Sequence, residues 1–278
     1  MELFMEEQDT PSIRVSQEAL EGNTAVSHTS PIMISLPRYR LVACSVFTRE
    51  LCSFVARSYR VVDPEFLEVA AHENSARLRG RVQDAIDRAD TEGYAAVLLG
   101  YGLCGNGLAG VRARSVPLVL PRAHDCCSIL LGGSAAFQRE FGEALSTPWT
   151  SVGYLERSAD YIRRSDSGKS NGFGLERAEL VLKYGEDNAA YLWETLHPEL
   201  EEKERIFIEL EESAPLGRAE LVRRETEAEG KGFRVVEGDA SVLRSLVDGP
   251  WDDARFLTVP PGGEISALYD FEKVMEAK

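Results

Sequence analysis

Three cysteines stand just past short apolar runs. The runs read Leu41-Val42-Ala43-Cys44, then Val97-Leu98-Leu99-Gly100-Tyr101-Gly102-Leu103-Cys104, then Pro117-Leu118-Val119-Leu120-Pro121-Arg122-Ala123-His124-Asp125-Cys126-Cys127. A fourth run, Phe66-Leu67-Glu68-Val69-Ala70-Ala71, ends on His72. In an open parallel sheet, ligands bind just beyond the carboxyl ends of the strands. If these runs are neighbouring strands, thiols and imidazoles gather at one sheet edge, which is the donor set of a metal or cluster site.

The flanking residues sharpen that expectation. Cys104 lies in a glycine-rich turn, Gly100-Tyr101-Gly102-Leu103-Cys104-Gly105-Asn106-Gly107. Gly102, Gly105, Asn106 and Gly107 would let backbone approach a bound group closely and aim amides at it. The turn is no Walker loop, because no Gly-Lys-Ser/Thr follows. His124 and Cys126, two apart after a strand, can both face one ion. Asp125 either orients an imidazole or caps the helix that follows. Arg122 would hold an anionic substrate or lower a thiol pKa. His72 is a ligand, a proton shuttle or a helix cap. His72, Arg122 and Tyr101 are the candidate catalytic groups; Cys44, Cys104, Cys126 and His124 are the candidate metal ligands. Tyr101 and Tyr154 would border the pocket. Cys52 falls inside an expected helix and is assigned to packing. No Gly-x-Ser-x-Gly elbow is present for a serine hydrolase.

The elements that must position these groups alternate between strand and helix from Tyr39 onward. Strands are expected at 40–44, 66–71, 95–100 and 116–120, with helices from Thr48 and from Asn74. The second helix carries Leu78, Val82, Ala85 and Ile86 on one face. Asp63-Pro64 marks a break. Strands return at 206–210, 232–236 and 255–259, helices at 218–228 and 240–247, and a last short helix follows Pro260-Pro261-Gly262-Gly263. The class is α/β, with Rossmann-like parallel sheet layers, helices on both faces and two α/β halves of similar plan as one arrangement, a single mixed sheet as the other. The expected divisions are a flexible arm at 1–37, an α/β domain with the site at 38–154, a loop and helical connector at 155–203, and a second half at 204–278. The Gly- and Ser-rich stretch 163–174, with Arg163, Arg164 and Lys169, is either a lid over an anionic ligand or a linker.

The 278 residues carry a net charge of −15. That balance argues against nucleic acid and against anionic lipid as partners. No apolar run reaches the ~20 residues of a membrane span, and the first residues do not read as a signal peptide. The expected location is cytoplasmic, where five cysteines favour ligation, catalysis or buried thiols over disulfides.

Taken together, the cysteine after the first strand, the strand-end histidine, Tyr101-Gly102-Leu103-Cys104-Gly105-Asn106-Gly107 and Pro121-Arg122-Ala123-His124-Asp125-Cys126 before Leu130-Leu131-Gly132 resemble domain-of-unknown-function family 1638. The resemblance spans roughly 41–154. It implies Cys44, His72, Cys104 and Cys126 as the site, and an association with corrinoid-dependent methyltransferase systems in one-carbon metabolism. Three thiolates from three strand ends resemble the way quinolinate synthase holds a [4Fe-4S] cluster with one iron open, and this cluster is the first expectation. The second is Zn2+ on thiolates. His124-x-Cys126 with a distant cysteine is similar to the ligand set of corrinoid-linked thiol methyltransferases, although there the lone cysteine comes last. The expected ligands are a small anionic or thiol substrate, with a corrinoid protein or methyltransferase as partner and corrinoid held only by that partner. The third expectation is a non-enzymatic accessory protein with buried thiols.

Overall fold

The computed structural model describes residues 36–69, 75–142, 147–163, 181–182, 185–186, 188–189, 203–268 and 270–278. The arm at 1–35, His72, most of the loop at 163–174 and most of the helix expected at 175–203 lie outside the described residues.

The first sheet is built by β1 (Arg38–Cys44), β2 (Val61–Leu67), β3 (Ala96–Gly100), β4 (Leu118–Pro121) and β8 (Phe256–Val259), in the order β2-β1-β3-β4-β8. The first four run parallel and β8 is antiparallel to β4. All residues of β3 and β4 are buried, as continuous apolar runs should be when both sheet faces are covered. Helix α1 (Thr48–Arg57) packs on α7 (Ser241–Asp248), α7 also lies on β3 and β4, and α2 (Ser75–Ala89) lies on β1. Leu78, Val82, Ala85, Ile86 and Ala89 form the buried stripe of α2. The short helices α3 (Cys126–Leu130) and α4 (Ser134–Phe141) follow β4, and Phe137 stacks on Phe141 at 5.3 Å.

A second, parallel sheet joins β5 (Trp149–Ser151), β6 (Glu204–Glu209) and β7 (Gly232–Glu237) in that order. Helix α5 (Val152–Arg157) follows β5, and α6 (Arg218–Ala228) connects β6 to β7. The molecule is thus α/β, with parallel-dominated sheets flanked by helices. The sheets do not divide at residue 204. β5 comes from the first expected half and pairs with β6, while β8 comes from the second and closes the first sheet. No helix among the described residues is long and apolar enough to cross a membrane.

Two expectations are corrected. Asp63-Pro64 does not break a strand: β2 runs through it, with Pro64 opposite Leu41. β2 is an edge strand, so a residue without an N–H can sit there without breaking the ladder. Ion pairs of Arg38 with Asp63 (2.6 Å) and of Arg40 and Arg88 with Glu65 hold it down. The chain end is a hairpin of β9 (Ile265–Ala267) and β10 (Met275–Ala277) rather than a helix.

Two glycines test how tightly these layers meet. A Cβ on Gly153, in α5, would sit 1.8 Å from the Val46 carbonyl oxygen, in the turn that follows β1. Backbone cannot yield as a flexible side chain does. Gly153→Ala should therefore cost about 3 kcal/mol. A Cβ on Gly80, in α2, meets nothing within 4 Å, so Gly80→Ala should stabilise by about 0.5–1 kcal/mol. Denaturant unfolding of both variants checks the pair.

Glu50 is buried on α1, its Oε2 without a hydrogen-bond partner. Burial pushes its carboxyl up to about 7. An unfolded glutamate ionises near 4.5, so between these values the unfolded chain releases a proton that the folded chain keeps. Stability should fall by about 1.4 kcal/mol per pH unit across that window and level off above it. Glu50→Gln should flatten the slope and melt above the parent at pH 8, which thermal melts at several pH values will show.

Candidate functional site

The carboxyl ends of β1, β3 and β4, adjacent in the sheet, deliver one cysteine each. Cys44 is the last residue of β1, and the Val46 amide donates to its sulfur. Beyond β3 and β4 the two loops remain paired, with Leu103 N donating to Ala123 O and Cys104 N to His124 O, both at 2.8 Å. Gly102 permits this approach, since a Cβ there would lie 2.7 Å from Asp125 N and 2.8 Å from Ala123 O. Cys126 opens α3, whose cap is Asp125: Oδ1 accepts from Ser128 N at 2.9 Å and from Ser128 Oγ at 3.0 Å. The capping alternative for Asp125 is the one observed.

The three thiols meet. Cys126 is hydrogen-bonded to both Cys44 and Cys104. All three are buried, Cys104 being the most accessible at 9%. Those bonds, with burial second, hold the Cys44 and Cys104 thiols well above their ordinary range. Burial does the same to neighbouring Cys127. Cys44 and Cys104 are therefore held protonated at neutral pH, each hydrogen-bonded to Cys126.

Two buried phenols belong to the same region. Tyr154, on α5, hydrogen-bonds Cys126 and packs edge-on against Trp149 at 5.2 Å. Tyr101 is fully buried, and charge on Cys44, Cys104 or Cys126 would each oppose its ionisation, after burial itself. Its hydroxyl has no hydrogen-bond partner. The Arg163 guanidinium lies 5.3 Å from the Tyr154 ring centre and favours the charged form of Cys44. Arg163, expected in a stretch that is either lid or linker, pairs with Trp149 across an isolated bridge and lies at the site. Sequence spacing offers no sign of that contact.

The glycine-rich turn divides its labour. Cys104, Gly105 and Asn106 have φ of 50°, 60° and 65°, three left-handed residues in a row. For the two that carry a Cβ this costs about 1–2 kcal/mol each. Gly107 fits against Leu78, where a Cβ would come within 2.7 Å of Cδ2, and Asn106 O accepts from Arg79 at 3.1 Å. Gly107 and Asn106 thus serve packing as well as any ligand, whereas a Cβ on Gly105 would meet nothing within 4 Å.

Other candidates go elsewhere. The His124 ring lies on Phe271 at 4.8 Å, with Nε2 3.2 Å from the Phe271 carbonyl oxygen, so it belongs to the C-terminal segment rather than to the thiols. The Arg122 guanidinium donates to the carbonyls of Asp253, Lys273 and Met275 and ties down β8 and β10. Cys52 is exposed on α1 rather than packed. Among the described residues, no group of three or more His, Cys, Asp and Glu is already arranged as an ion's ligand set. The thiols form a hydrogen-bonded chain with Cys126 in the middle.

Burial predicts selective reactivity. In the native protein at pH 8, an aromatic disulfide reagent should label Cys52 alone, and the other four thiols only on unfolding. Peptide mapping of the labelled protein decides it; fast labelling of Cys104 would mean an open site.

The chain matches no curated protein and no solved structure. A family model described as a protein of unknown function, DUF1638, matches residues 66–203. That match takes in Tyr101, Cys104, Cys126, Tyr154 and Arg163, and over residues 66–203 the chain belongs to the DUF1638 family.

Proposed function

We propose that Cys44, Cys104 and Cys126 are the thiolate ligands of a single soft cation, with zinc the first candidate, and that the protein uses it to bind a small thiol or anionic substrate. The observation that carries this reading is the pair of hydrogen bonds by which Cys126 joins Cys44 and Cys104, three buried thiols from three adjacent strand ends. Zinc–thiolate bonds of about 2.3 Å in a tetrahedron hold sulfurs about 3.8 Å apart. Cys126 is already within hydrogen-bonding reach of each of the other two thiols, so closing the set around one ion needs mainly Cys44 and Cys104 to approach each other once their protons leave. A [4Fe-4S] cubane, the other reading, puts four irons between its cysteines and would have to push these sulfurs apart in a closed core. Three protein ligands leave a fourth position for substrate, as catalytic zinc sites do. A thiol bound there would be held as thiolate, which is the nucleophile needed to accept a methyl group. The corrinoid protein implied by the family resemblance would be the methyl donor. A cytoplasmic location would keep the three thiols reduced.

Zinc titration with a competing chromophoric chelator tests the reading. The parent should bind one equivalent and release protons on loading, because thiols become thiolates. Cys104→Ser and Cys126→Ser should each weaken binding by more than the roughly 10–100-fold typical of losing an outer-sphere partner. Cys52→Ser should bind as the parent does. A brown protein with sulfide-dependent visible absorption after anaerobic iron reconstitution would favour the cubane instead, and no metal uptake of either kind would leave only buried, inert thiols.

A further inference from the structure

The two phenols at the thiol site differ in one respect. The Tyr154 hydroxyl is engaged with Cys126, and the Tyr101 hydroxyl is buried at the same site with nothing to bond to. A hydroxyl taken from water without a partner is costly, and buried polar groups nearly always find one. Tyr101 follows directly on β3, and its residue is 0% exposed, so it cannot swing out to solvent. Tyr101 sits one residue past the pairing of Ala43 with Gly100, level with Cys44, and one residue before Gly102, which packs against Asp125 next to Cys126.

We propose that the Tyr101 hydroxyl holds the fourth ligand of the thiolate-bound ion, and that this ligand is a small anion whose donor atom keeps a lone pair after binding. The inference rests on the single-ion reading above. A hydroxyl that donates selects such an atom: a thiolate sulfur, a hydroxide oxygen or an azide nitrogen can bind the ion and still accept from Tyr101. A primary amine cannot, because its one lone pair goes to the metal. Arg163 adds positive charge on the Cys44 side of the site and helps offset three thiolates and an anion around a dication. Tyr101 is thus the residue that chooses the class of ligand, while the cysteines choose the ion.

Cobalt(II) in place of zinc gives the test a visible signal, since sulfur-to-cobalt charge transfer reports thiolate ligation and the d–d bands report the fourth position. Azide is the probe. Tyr101→Phe removes one oxygen and opens almost no cavity. It should bind cobalt within about threefold of the parent but azide about ten- to a hundredfold more weakly. Equal azide affinity in the two proteins, or no azide response in the parent, overturns the assignment and leaves the ion site standing. A parent without the charge-transfer band loses the ion site and, with it, this inference. Melting of the metal-free proteins supplies a second readout. Tyr101→Phe should melt at or above the parent, because an unsatisfied hydroxyl has gone; a lower melting temperature would show that the hydroxyl already has a partner in the fold and would overturn the proposal.

Discussion

Everything at this site depends on the loop after β3 staying paired with the loop after β4. Parallel strands normally diverge where their connections begin. Here the ladder continues past Gly100 and Pro121 through the bonds from Leu103 N and Cys104 N. Only a residue without a Cβ at position 102 allows that approach. The pairing sets Cys104 against Cys126, and the parallel register of β1 with β3 brings Cys44 to the same level. A one-residue slip in any of the three strands would send one thiol to the opposite face.

Protonation decides what such a cluster can do. Three thiols packed together out of water cannot all ionise, because each thiolate would lack solvent and face its neighbours. Without a cation, Cys44 and Cys104 keep their protons and are hydrogen-bonded to Cys126. A soft cation reverses the balance, replacing protons that burial holds tightly with one charge that every sulfur shares. The same low-dielectric pocket that silences the free thiols would strengthen their hold on an ion.

The cysteine-bearing strands were legible because buried parallel strands are short unbroken apolar runs, and β3 and β4 are of that kind. The stripe on α2 was legible for the equivalent helical reason. Less accessible were features that depend on partners distant in sequence. Pro64 reads as a break until β2 is known to be an edge. Phe256–Val259 reads as the end of a second half, yet it closes the first sheet because Arg122 and the chain end anchor it there. His124 has ligand spacing to Cys126, but Phe271, 147 residues on, takes its ring. Periodicity reports which face of an element is buried, not which side chain claims a given polar group.

The left-handed run at Cys104, Gly105 and Asn106 fits this division. A glycine at 104 or 106 would remove strain of about 1–2 kcal/mol apiece. At 106 the strained backbone at least bonds Arg79 through its carbonyl. At 104 a glycine would also remove the thiol, so the strain there is inseparable from having a sulfur beside Cys126. The turn must reverse within three residues to return the chain to α2's neighbour Gly107, and it must do so with Cys104 facing inward. A right-handed turn would carry the chain a different way and break the bond from Gly107 N to Cys104 O that closes it. The backbone cost is thus the local consequence of bringing a third thiol to a point that two strands alone would supply with only two.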